Sequence, residues 1–225
     1  DYGLSRFDGL NWTTFTEKNE LVSNKVTAIV EDAAHNIWVC SRDAGKGVAM
    51  FNGSVWTWYT IWMTDSKLPS NRVYTVAAEK TGAIWFATEK GLARLDGSSW
   101  TIYTAANGLK STNISEIYID DDNTKWFVHN RYDHKGVTRY DGTSWTTYSK
   151  DSELANDSVT TVMKAKDGTL YFGTIAGLTL YNGLSWRHYP DNNRLASRDV
   201  FAIDSDRNGI LWFGTSKGLS RFDGS

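Results

Sequence analysis

The sequence has 225 residues, of which 40% are apolar and 22% charged, and its net charge at pH 7 is -2. This composition is typical of a globular chain and excludes the clustered Lys and Arg of a nucleic-acid-binding surface. No run of about 18 apolar residues occurs, so we expect no membrane insertion of this segment. The single cysteine, Cys40, excludes an internal disulfide and a cysteine-based zinc site.

In chain order, the first predicted elements are two strands, GLSRFD from Gly3 and NWTTFT from Asn11, separated by the pair Asp8-Gly9. An Asx-Gly pair readily adopts the positive φ angles that tight hairpins require. Such pairs recur along the chain, each between short segments rich in β-branched and aromatic residues, which favour strands. The later pairs begin at Asn52, Asp96, Asp141 and Asn182.

Four apolar segments follow one another from residue 25 onwards, namely KVTAIVED, NIWVCS, GVAMFN and VWTWYT, and this set then recurs. The glycine that opens the third segment recurs at intervals of 44, 44, 45, 41 and 41 residues, at Gly3, Gly47, Gly91, Gly136, Gly177 and Gly218. Four antiparallel strands in a period of about 40–50 residues form one blade of a β-propeller. The predicted fold is therefore an all-β propeller, in a single domain over residues 1–225.

The heptapeptide GLSRFDG occurs twice, at Gly3–Gly9 and at Gly218–Gly224. The sequence contains five first, second and fourth strands but six third strands. We therefore expect a closed ring of five blades, in which Trp12–Thr16 supplies the fourth strand of the last blade. The spare copy would be displaced or swapped to a neighbouring molecule, giving a monomer or a strand-swapped oligomer. An open arc, belonging to a larger propeller, is the alternative.

Two stretches, ILWFGTSKGLSRFDG at Ile210–Gly224 and AIWFATEKGLARLDG at Ala83–Gly97, resemble the two-component regulator propeller repeat of bacteria. The resemblance extends over all five periods. It implies a periplasmic or extracellular location and a role in sensing or ligand binding. The matching residues are structural, so the resemblance implies no particular ligand.

Most of the 11 tryptophans occupy repeat positions, where we expect them to pack between blades. A leucine five residues before each first strand is predicted to be core, and a Ser or Asn two residues after it to cap a turn. The leucines are Leu21, Leu68, Leu109, Leu154 and Leu195, and the capping residues are Ser23, Ser70, Ser111, Asn156 and Ser197.

The repeat varies in length mainly in the loops between second and third strands and between one blade and the next. These loops share one face, and three of them are long: Ser41–Gly47, Ile61–Arg72 and His129–Gly136. Binding residues concentrate in loops on a rigid scaffold. The candidate ligand-binding set on this face is Arg42, Asp43, Lys46, Trp62, His129, Arg131, Tyr132 and His134. Its cations and aromatic rings suit a glycan or an anionic small molecule.

We identify no phosphate-binding loop and no nucleophile elbow, and so predict no catalytic residue and no cofactor. His129 and His134 with Asp133 match no metal-ligand spacing, and we predict no metal site. The sequence favours a non-catalytic binding or sensing module. A scaffold for a protein partner and a lyase or glycan-active enzyme are the alternatives.

Overall fold

The structure is a computed structural model that describes residues 3–43, 45–189 and 195–223. The chain divides into two compact units, Asp1–Ile119 (unit 1) and Asp120–Ser225 (unit 2). Repeats run through both units, and the single domain over residues 1–225 stays a prediction. Gly224, the last residue of the second GLSRFDG copy, lies outside the described residues.

Unit 1 consists of strands joined by turns, with two short 3-10 helices at Glu17–Asn19 and Ala105–Asn107. Two four-stranded antiparallel sheets form its centre, and in each sheet neighbours in the chain are neighbours in the sheet. The first contains β3 to β6 and the second β7 to β10. The strands are β1 (Leu4–Phe7), β2 (Trp12–Phe15), β3 (Val26–Glu31), β4 (Ile37–Ser41), β5 (Val48–Phe51), β6 (Trp56–Tyr59), β7 (Val73–Ala78), β8 (Ile84–Thr88), β9 (Gly91–Asp96), β10 (Ser99–Tyr103) and β11 (Ile114–Ile119).

Unit 2 continues the same pattern. Strands β12, β13 and β14 pair in succession, and β15 to β18 form another four-stranded sheet. The strands are β12 (Lys125–His129), β13 (Val137–Tyr140), β14 (Trp145–Tyr148), β15 (Val159–Lys164), β16 (Leu170–Thr174), β17 (Gly177–Tyr181), β18 (Trp186–Tyr189), β19 (Val200–Ser205), β20 (Leu211–Thr215) and β21 (Gly218–Phe222). The predicted all-β fold of four-stranded antiparallel blades is confirmed.

The terminal strands pair differently from the expectation. In unit 1, β2 pairs along its length with β1, with Leu4 opposite Phe15 and Phe7 opposite Trp12, and the two strands form their own sheet. In unit 2, β19, β20 and β21 form a three-stranded sheet in which β21 is an outer strand. The shared last blade is therefore not formed. Pairing β1 with β2 closes only a short loop, which costs less chain entropy than joining strands from opposite ends of the chain.

Aromatic side chains fill the spaces between successive sheets, as the tryptophan pattern predicts. In unit 1, Trp38 on β4 lies 5.2 Å from Tyr59 of its own sheet and 5.6 Å from Phe86 of the next, measured between ring centroids. Trp100 of the next sheet stacks on Phe86 at 5.8 Å. The two-stranded sheet is joined to the next sheet in the same way, because Phe15 packs on Phe51 and Trp56.

In the two four-stranded sheets of unit 1, the acidic residue that follows the first strand accepts a hydrogen bond from the tryptophan of the second strand. The indole N–H of Trp38 donates to Asp32 at 2.8 Å, and that of Trp85 donates to Glu79 at 2.6 Å. Glu79 is buried and also accepts a hydrogen bond from Arg94. These bonds satisfy the one polar group that a buried indole carries.

The predicted leucine and capping positions are confirmed in the structure. Leu21, Leu68, Leu109 and Leu154 are buried, whereas Leu195 is half-buried. In all five copies, the Ser or Asn side chain accepts a hydrogen bond from the backbone amide two residues later. This bond satisfies a backbone donor just before each first strand begins.

The hairpin turn at Asp141-Gly142 shows why an Asx residue is needed there. The backbone amides of Thr143 and Ser144 donate to Asp141 Oδ1 at 3.0 and 2.8 Å, and Gly142 has a φ of 103°. These amide hydrogen bonds, together with the Thr143 hydroxyl, lower the pKa of Asp141 from its ordinary value of 3.8 to about 2. Charged Asp141 therefore stabilises the folded hairpin.

Because the folded pKa lies below the unfolded one, this stabilisation is present above pH 3.8 and is lost as the pH falls towards 2. Asp141→Asn keeps the acceptor oxygen, as the natural Asn52 and Asn182 turns do, but removes the charge. We expect the stability of the parent relative to the Asn variant to fall as the pH is lowered from about 5 to about 2. Urea unfolding of both proteins at each pH measures this difference, and a constant difference would contradict the assignment.

Candidate functional site

A β-bulge follows the first residue of β3, β7, β15 and β19, so that the pairing register with the neighbouring strand shifts at the second residue of each of these strands. A bulge re-aims the side chain that it carries. Thr27 and Thr160 use this position to donate to the carbonyls of Val73 and Val200, on the first strands of the sheets that follow. At the other two bulges the residue is aromatic, and each ring contacts an arginine from a long loop.

In unit 1 the arginine is Arg42, whose guanidinium lies 5.2 Å from the ring centroid of Tyr74 on β7. Arg42 is exposed and forms no ion pair with a described residue. A guanidinium stacked on an aromatic face keeps its donors directed outwards in the ring plane, where they can bind an anion. Of the candidate residues in this loop, Arg42 is the cation that is available to a ligand.

Asp43 and Lys46 instead anchor the same loop to the chain that precedes β3. Asp43 accepts a hydrogen bond from the Ser23 hydroxyl at 2.7 Å and pairs with Lys25 at 3.3 Å. Lys46 pairs with Glu17 at 2.8 Å. The Ser23 hydrogen bond and Lys25 lower the pKa of Asp43, and the Lys46 hydrogen bond lowers the pKa of Glu17. Asp43 and Glu17 are therefore ionised at neutral pH, and each is paired with a lysine of the same unit.

Trp62 lies in the Ile61–Arg72 loop, which begins as a compact turn in which the amide of Thr64 donates to the Thr60 carbonyl. The buried Asn71 joins this loop to the Ser41–Gly47 loop. Its side chain accepts from the amide of Ile61 at 2.7 Å, and its carbonyl accepts from the amide of Gly47 at 3.0 Å. Trp62 is 82% exposed. Two of the predicted long loops of unit 1 are therefore in contact, and Trp62 is open to solvent.

In unit 2, Arg131 lies between two aromatic rings. Its guanidinium is 4.8 Å from the ring centroid of Tyr132 and 5.7 Å from that of Phe201 at the β19 bulge, and it donates to the Tyr132 hydroxyl at 2.7 Å. Arg131 forms no ion pair within the described part of the chain. Tyr132 is 73% exposed. The cation is therefore held in place by rings rather than neutralised by a carboxylate.

The buried Ser158 fixes the rest of this loop. Its hydroxyl donates to the carbonyl of Arg131 at 2.8 Å and lies 2.8 Å from His134 Nδ1. A hydroxyl has one proton, so the Ser158 oxygen accepts from a protonated Nδ1. This leaves Nε2 of neutral His134 as an acceptor, and His134 itself has a left-handed φ of 50°.

His129 does not belong to the exposed set. It is the last residue of β12 and is fully buried, with Nε2 at 2.7 Å from the Thr138 hydroxyl. The expectation that His129 faces a ligand is therefore corrected. The reason is that all five residues of β12 are buried, so both faces of this strand are covered and alternation along it does not bring the imidazole to the surface.

Three contributors were missed by the sequence analysis: Tyr74, Phe201 and Ser158. The bulge column carries Thr or Ser in the other copies, so an aromatic residue at Tyr74 or Phe201 is a visible departure from the repeat. Ser158 gave no such signal, because its partners come from a loop 24 or more residues away.

The eight candidate residues divide equally between the units, with Arg42, Asp43, Lys46 and Trp62 in unit 1 and His129, Arg131, Tyr132 and His134 in unit 2. Among the described residues, no group of three or more His, Cys, Asp or Glu side chains is arranged to hold a metal ion. Nor does this part of the chain contain a helix with the length and apolar character that a membrane crossing requires.

Sequence comparison identifies the repeat. The profile described as two component regulator propeller matches residues 20–43 and 194–217, which contain the first and last copies of the first and second strands. Two segments of the chain therefore match the two-component regulator propeller repeat. No curated protein is similar enough in sequence to be matched with the chain.

Several solved structures that share the fold are extracellular domains or surface proteins of bacteria. The extracellular domain of the hybrid two-component system BT3049 from B. thetaiotaomicron is 26% identical, with a TM-score of 0.71 over 90% of this chain and 29% of that one. The extracellular domain of BT4673 from the same organism is 18% identical, with a TM-score of 0.65 over 88% of this chain and 27% of that one.

PorZ, a surface component of the type-IX secretion system of Porphyromonas gingivalis, is 17% identical, with a TM-score of 0.73. That match covers 98% of this chain and 36% of PorZ. This chain thus spans roughly a third or less of the length of each of these proteins. Their activities belong to the longer chains.

Ser158→Ala tests the construction of the loop in unit 2. Removing the hydroxyl frees the Arg131 carbonyl and His134 Nδ1, so we expect faster amide hydrogen exchange across residues 130–135 with little change elsewhere in the unit. Ser144→Ala, in the exposed β13–β14 turn, is the matched control. Equal exchange of residues 130–135 in the parent and Ser158→Ala would contradict the role assigned to Ser158.

Proposed function

We propose that this chain is a non-catalytic ligand-binding or sensing module of a periplasmic or extracellular protein. The ligand is an anionic small molecule or an acidic glycan, and the loop Asn130–Lys135 of unit 2 binds it. The observation that carries the proposal is the Arg131 guanidinium, held by two aromatic rings without a carboxylate partner among the described residues.

The chemistry of this loop favours an anion with a flat apolar face. A guanidinium binds a carboxylate or phosphate through two parallel hydrogen bonds, and its geometry is fixed before binding when it is stacked on a ring. The exposed ring of Tyr132 offers a surface on which a sugar ring can stack. His134 Nε2 adds an acceptor for a ligand hydroxyl group.

The resemblance to sensor propellers supports this assignment. BT3049 and BT4673 are extracellular domains of regulatory systems, which is the context of a module that binds a signal. In unit 1, the Arg42–Tyr74 pair repeats the arrangement of a loop arginine on a bulge aromatic. We assign it the secondary role of a weaker anion-binding position, with Trp62 as an exposed stacking surface.

A protein-binding scaffold is the second candidate, and a specific surface of unit 1 favours it. Four large apolar side chains, Val55, Trp58, Trp62 and Met63, are each more than 40% exposed. Val55, Trp58 and Met63 line one open groove. Exposed apolar groups that adjoin one another mark interaction surfaces in soluble proteins.

Calorimetric titration of the whole chain with matched acidic and neutral oligosaccharides and with small carboxylates tests the proposed function. We expect binding of acidic compounds only. Arg131→Ala should weaken it by roughly 10- to 150-fold, because a hydrogen bond to a charged group contributes about 1.5–3 kcal/mol. Arg131→Lys, which keeps the charge but loses the paired donors, should recover only part of the affinity.

Arg187→Ala is the matched control, since Arg187 is an exposed arginine on β18 of the same unit. It should bind as the parent does. Binding that survives Arg131→Ala unchanged, or that is lost equally in Arg187→Ala, would contradict the proposed site.

A further inference from the structure

A cavity of 360 Å³ in unit 2 lies beside the start of β12, where Thr124 and Trp126 line it. The loop Asn130–Lys135 follows the other end of the same strand, and none of its described residues lines the cavity. Cavities of about 300–1,000 Å³ are typical of small-molecule sites. The charged residues of the described lining are Asp120, Asp121, Asp122, Arg139 and Lys164.

In unit 1, one buried carboxylate binds an indole and a guanidinium together. Glu79 stands six residues before Trp85 and accepts its indole N–H at 2.6 Å. Arg94 stands opposite Trp85 in the pairing of β8 with β9. It donates to the same carboxylate from Nε at 3.1 Å and from Nη2 at 3.4 Å. A single acidic group thus satisfies both donors.

Unit 2 repeats this indole and this guanidinium. Arg139 stands opposite Trp126 in the pairing of β12 with β13. Trp126 is 1% exposed, and no described residue accepts its N–H. The one ion pair of Arg139 with a described residue is to Asp141 at 3.3 Å, and Arg94 forms the same kind of pair with Asp96 at 3.0 Å. Within the described chain, the bonds to a shared carboxylate are therefore the ones that this indole and this guanidinium lack.

The acidic side chain of this repeat, Asp120, is bonded to Lys164 instead. Asp120 stands six residues before Trp126, which is the spacing of indole and carboxylate in unit 1. The Lys164 ammonium lies 2.5 Å from Asp120 and 3.4 Å from Asp121, and the Asp120 hydrogen bond raises the pKa of Lys164. Side-chain length is not the reason, because Asp32, the equivalent aspartate of unit 1, accepts from its indole at 2.8 Å. Lys164 thus keeps the aspartate away from the indole, whose N–H stays available to another acceptor.

A buried donor without an acceptor destabilises a folded protein, because it has lost its hydration and gained no bond in exchange. Trp126 and Arg139 both line the cavity, so an acceptor placed in it can serve both donors. The group that serves the same two donors in unit 1 is a carboxylate. The chemistry of the cavity therefore selects a ligand that carries a carboxylate.

The charge of the lining restricts this ligand further. Three aspartates and two cations give the described lining a formal charge of -1. A second carboxylate on the ligand would be repelled, whereas an ammonium group would be attracted to Asp121 and Asp122, which are exposed. Leu170 and Tyr181 add apolar surface against which a short side chain can pack.

We propose that this cavity binds a small amino acid. Its carboxylate takes the place that the Glu79 carboxylate has in unit 1, and it accepts hydrogen bonds from the Trp126 N–H and the Arg139 guanidinium. Hydrogen bonds to a charged acceptor are short and strong, so the two donors fix the orientation of the ligand. Its ammonium group lies towards Asp121 and Asp122. This binding site is separate from the loop Asn130–Lys135 and does not depend on the proposed function.

Nuclear magnetic resonance of the Trp126 indole N–H tests the proposal in the whole chain, because a carboxylate that accepts this proton shifts its signal. The signal is identified as the one that is missing from Trp126→Phe. The probes are glycine, sodium acetate and methylammonium chloride at constant pH and ionic strength. Glycine should shift the signal saturably, acetate should do so only at higher concentration, and methylammonium should leave it in place.

Arg139→Gln should raise the concentration of glycine needed for half-saturation by about tenfold or more, since a hydrogen bond to a charged group is lost. Arg139→Lys, which keeps the charge, should restore part of the affinity. Arg187→Gln, at the exposed arginine of β18, is the matched control and should bind glycine as the parent does. Calorimetric titration gives a second measurement, in which Trp126→Phe, with a ring but no N–H, should also bind glycine more weakly. Thermal unfolding of each variant confirms that it folds.

Four results would overturn the proposal. A Trp126 signal that no probe shifts would show that water alone meets this N–H. A shift by methylammonium at the concentrations at which glycine acts would assign the cavity to cations held by the aspartates. Equal action of acetate and glycine would exclude an amino acid as the preferred ligand, and glycine binding that Arg139→Gln leaves unchanged would exclude the guanidinium. The indole signal reports on the cavity alone, so a failure of ligand binding at Arg131 is distinguished from each of these results.

Discussion

The packing of an indole between successive sheets is the interaction on which the rest of this structure depends. A four-stranded sheet with apolar residues on both faces cannot bury them alone, and each neighbour covers one face. Trp38 performs this task in unit 1, and Trp126 and Trp186 perform it together at one interface in unit 2. The acidic residues after the first strands of unit 1 accept the N–H of Trp38 and Trp85. The sequence repeat reflects this requirement, because successive interfaces use aromatic rings at the same repeat positions.

The interfaces between sheets do not restrict the length of the loops, and in each unit a bulge brings a first strand into contact with a long loop. Where the bulge residue is Thr, it ties one sheet to the next. Where it is Tyr74 or Phe201, it supports a loop arginine instead. An aromatic residue in place of Thr at the bulge position thus replaces a hydrogen bond between two sheets with a ring that contacts a loop arginine.

The period, the strands, the hairpin turns and the buried leucines were predictable from the sequence, because each rests on local pattern or on a repeat column. The pairing of β2 was not, because β1 and β21 are identical in sequence and only chain entropy favours the nearer one. The expected exposure of His129 was wrong because this residue lies at the boundary between β12 and the loop that follows. A shift of one residue there decides whether a side chain belongs to the strand or to the loop. The partners of Arg131 and His134 were not predictable either, since Phe201 and Ser158 reach them from distant strands.

A double-mutant cycle on Trp126 and Trp186 tests the central claim most directly. Both rings lie in unit 2, with centroids 6.0 Å apart. The free energy of unfolding is measured for the parent, Trp126→Ala, Trp186→Ala and the double variant. If indole packing joins the sheets, the double variant should lose less stability than the sum of the single losses, by about 0.5–1.5 kcal/mol. Losses that add to within about 0.3 kcal/mol would show that the two rings are energetically independent and would contradict the claim.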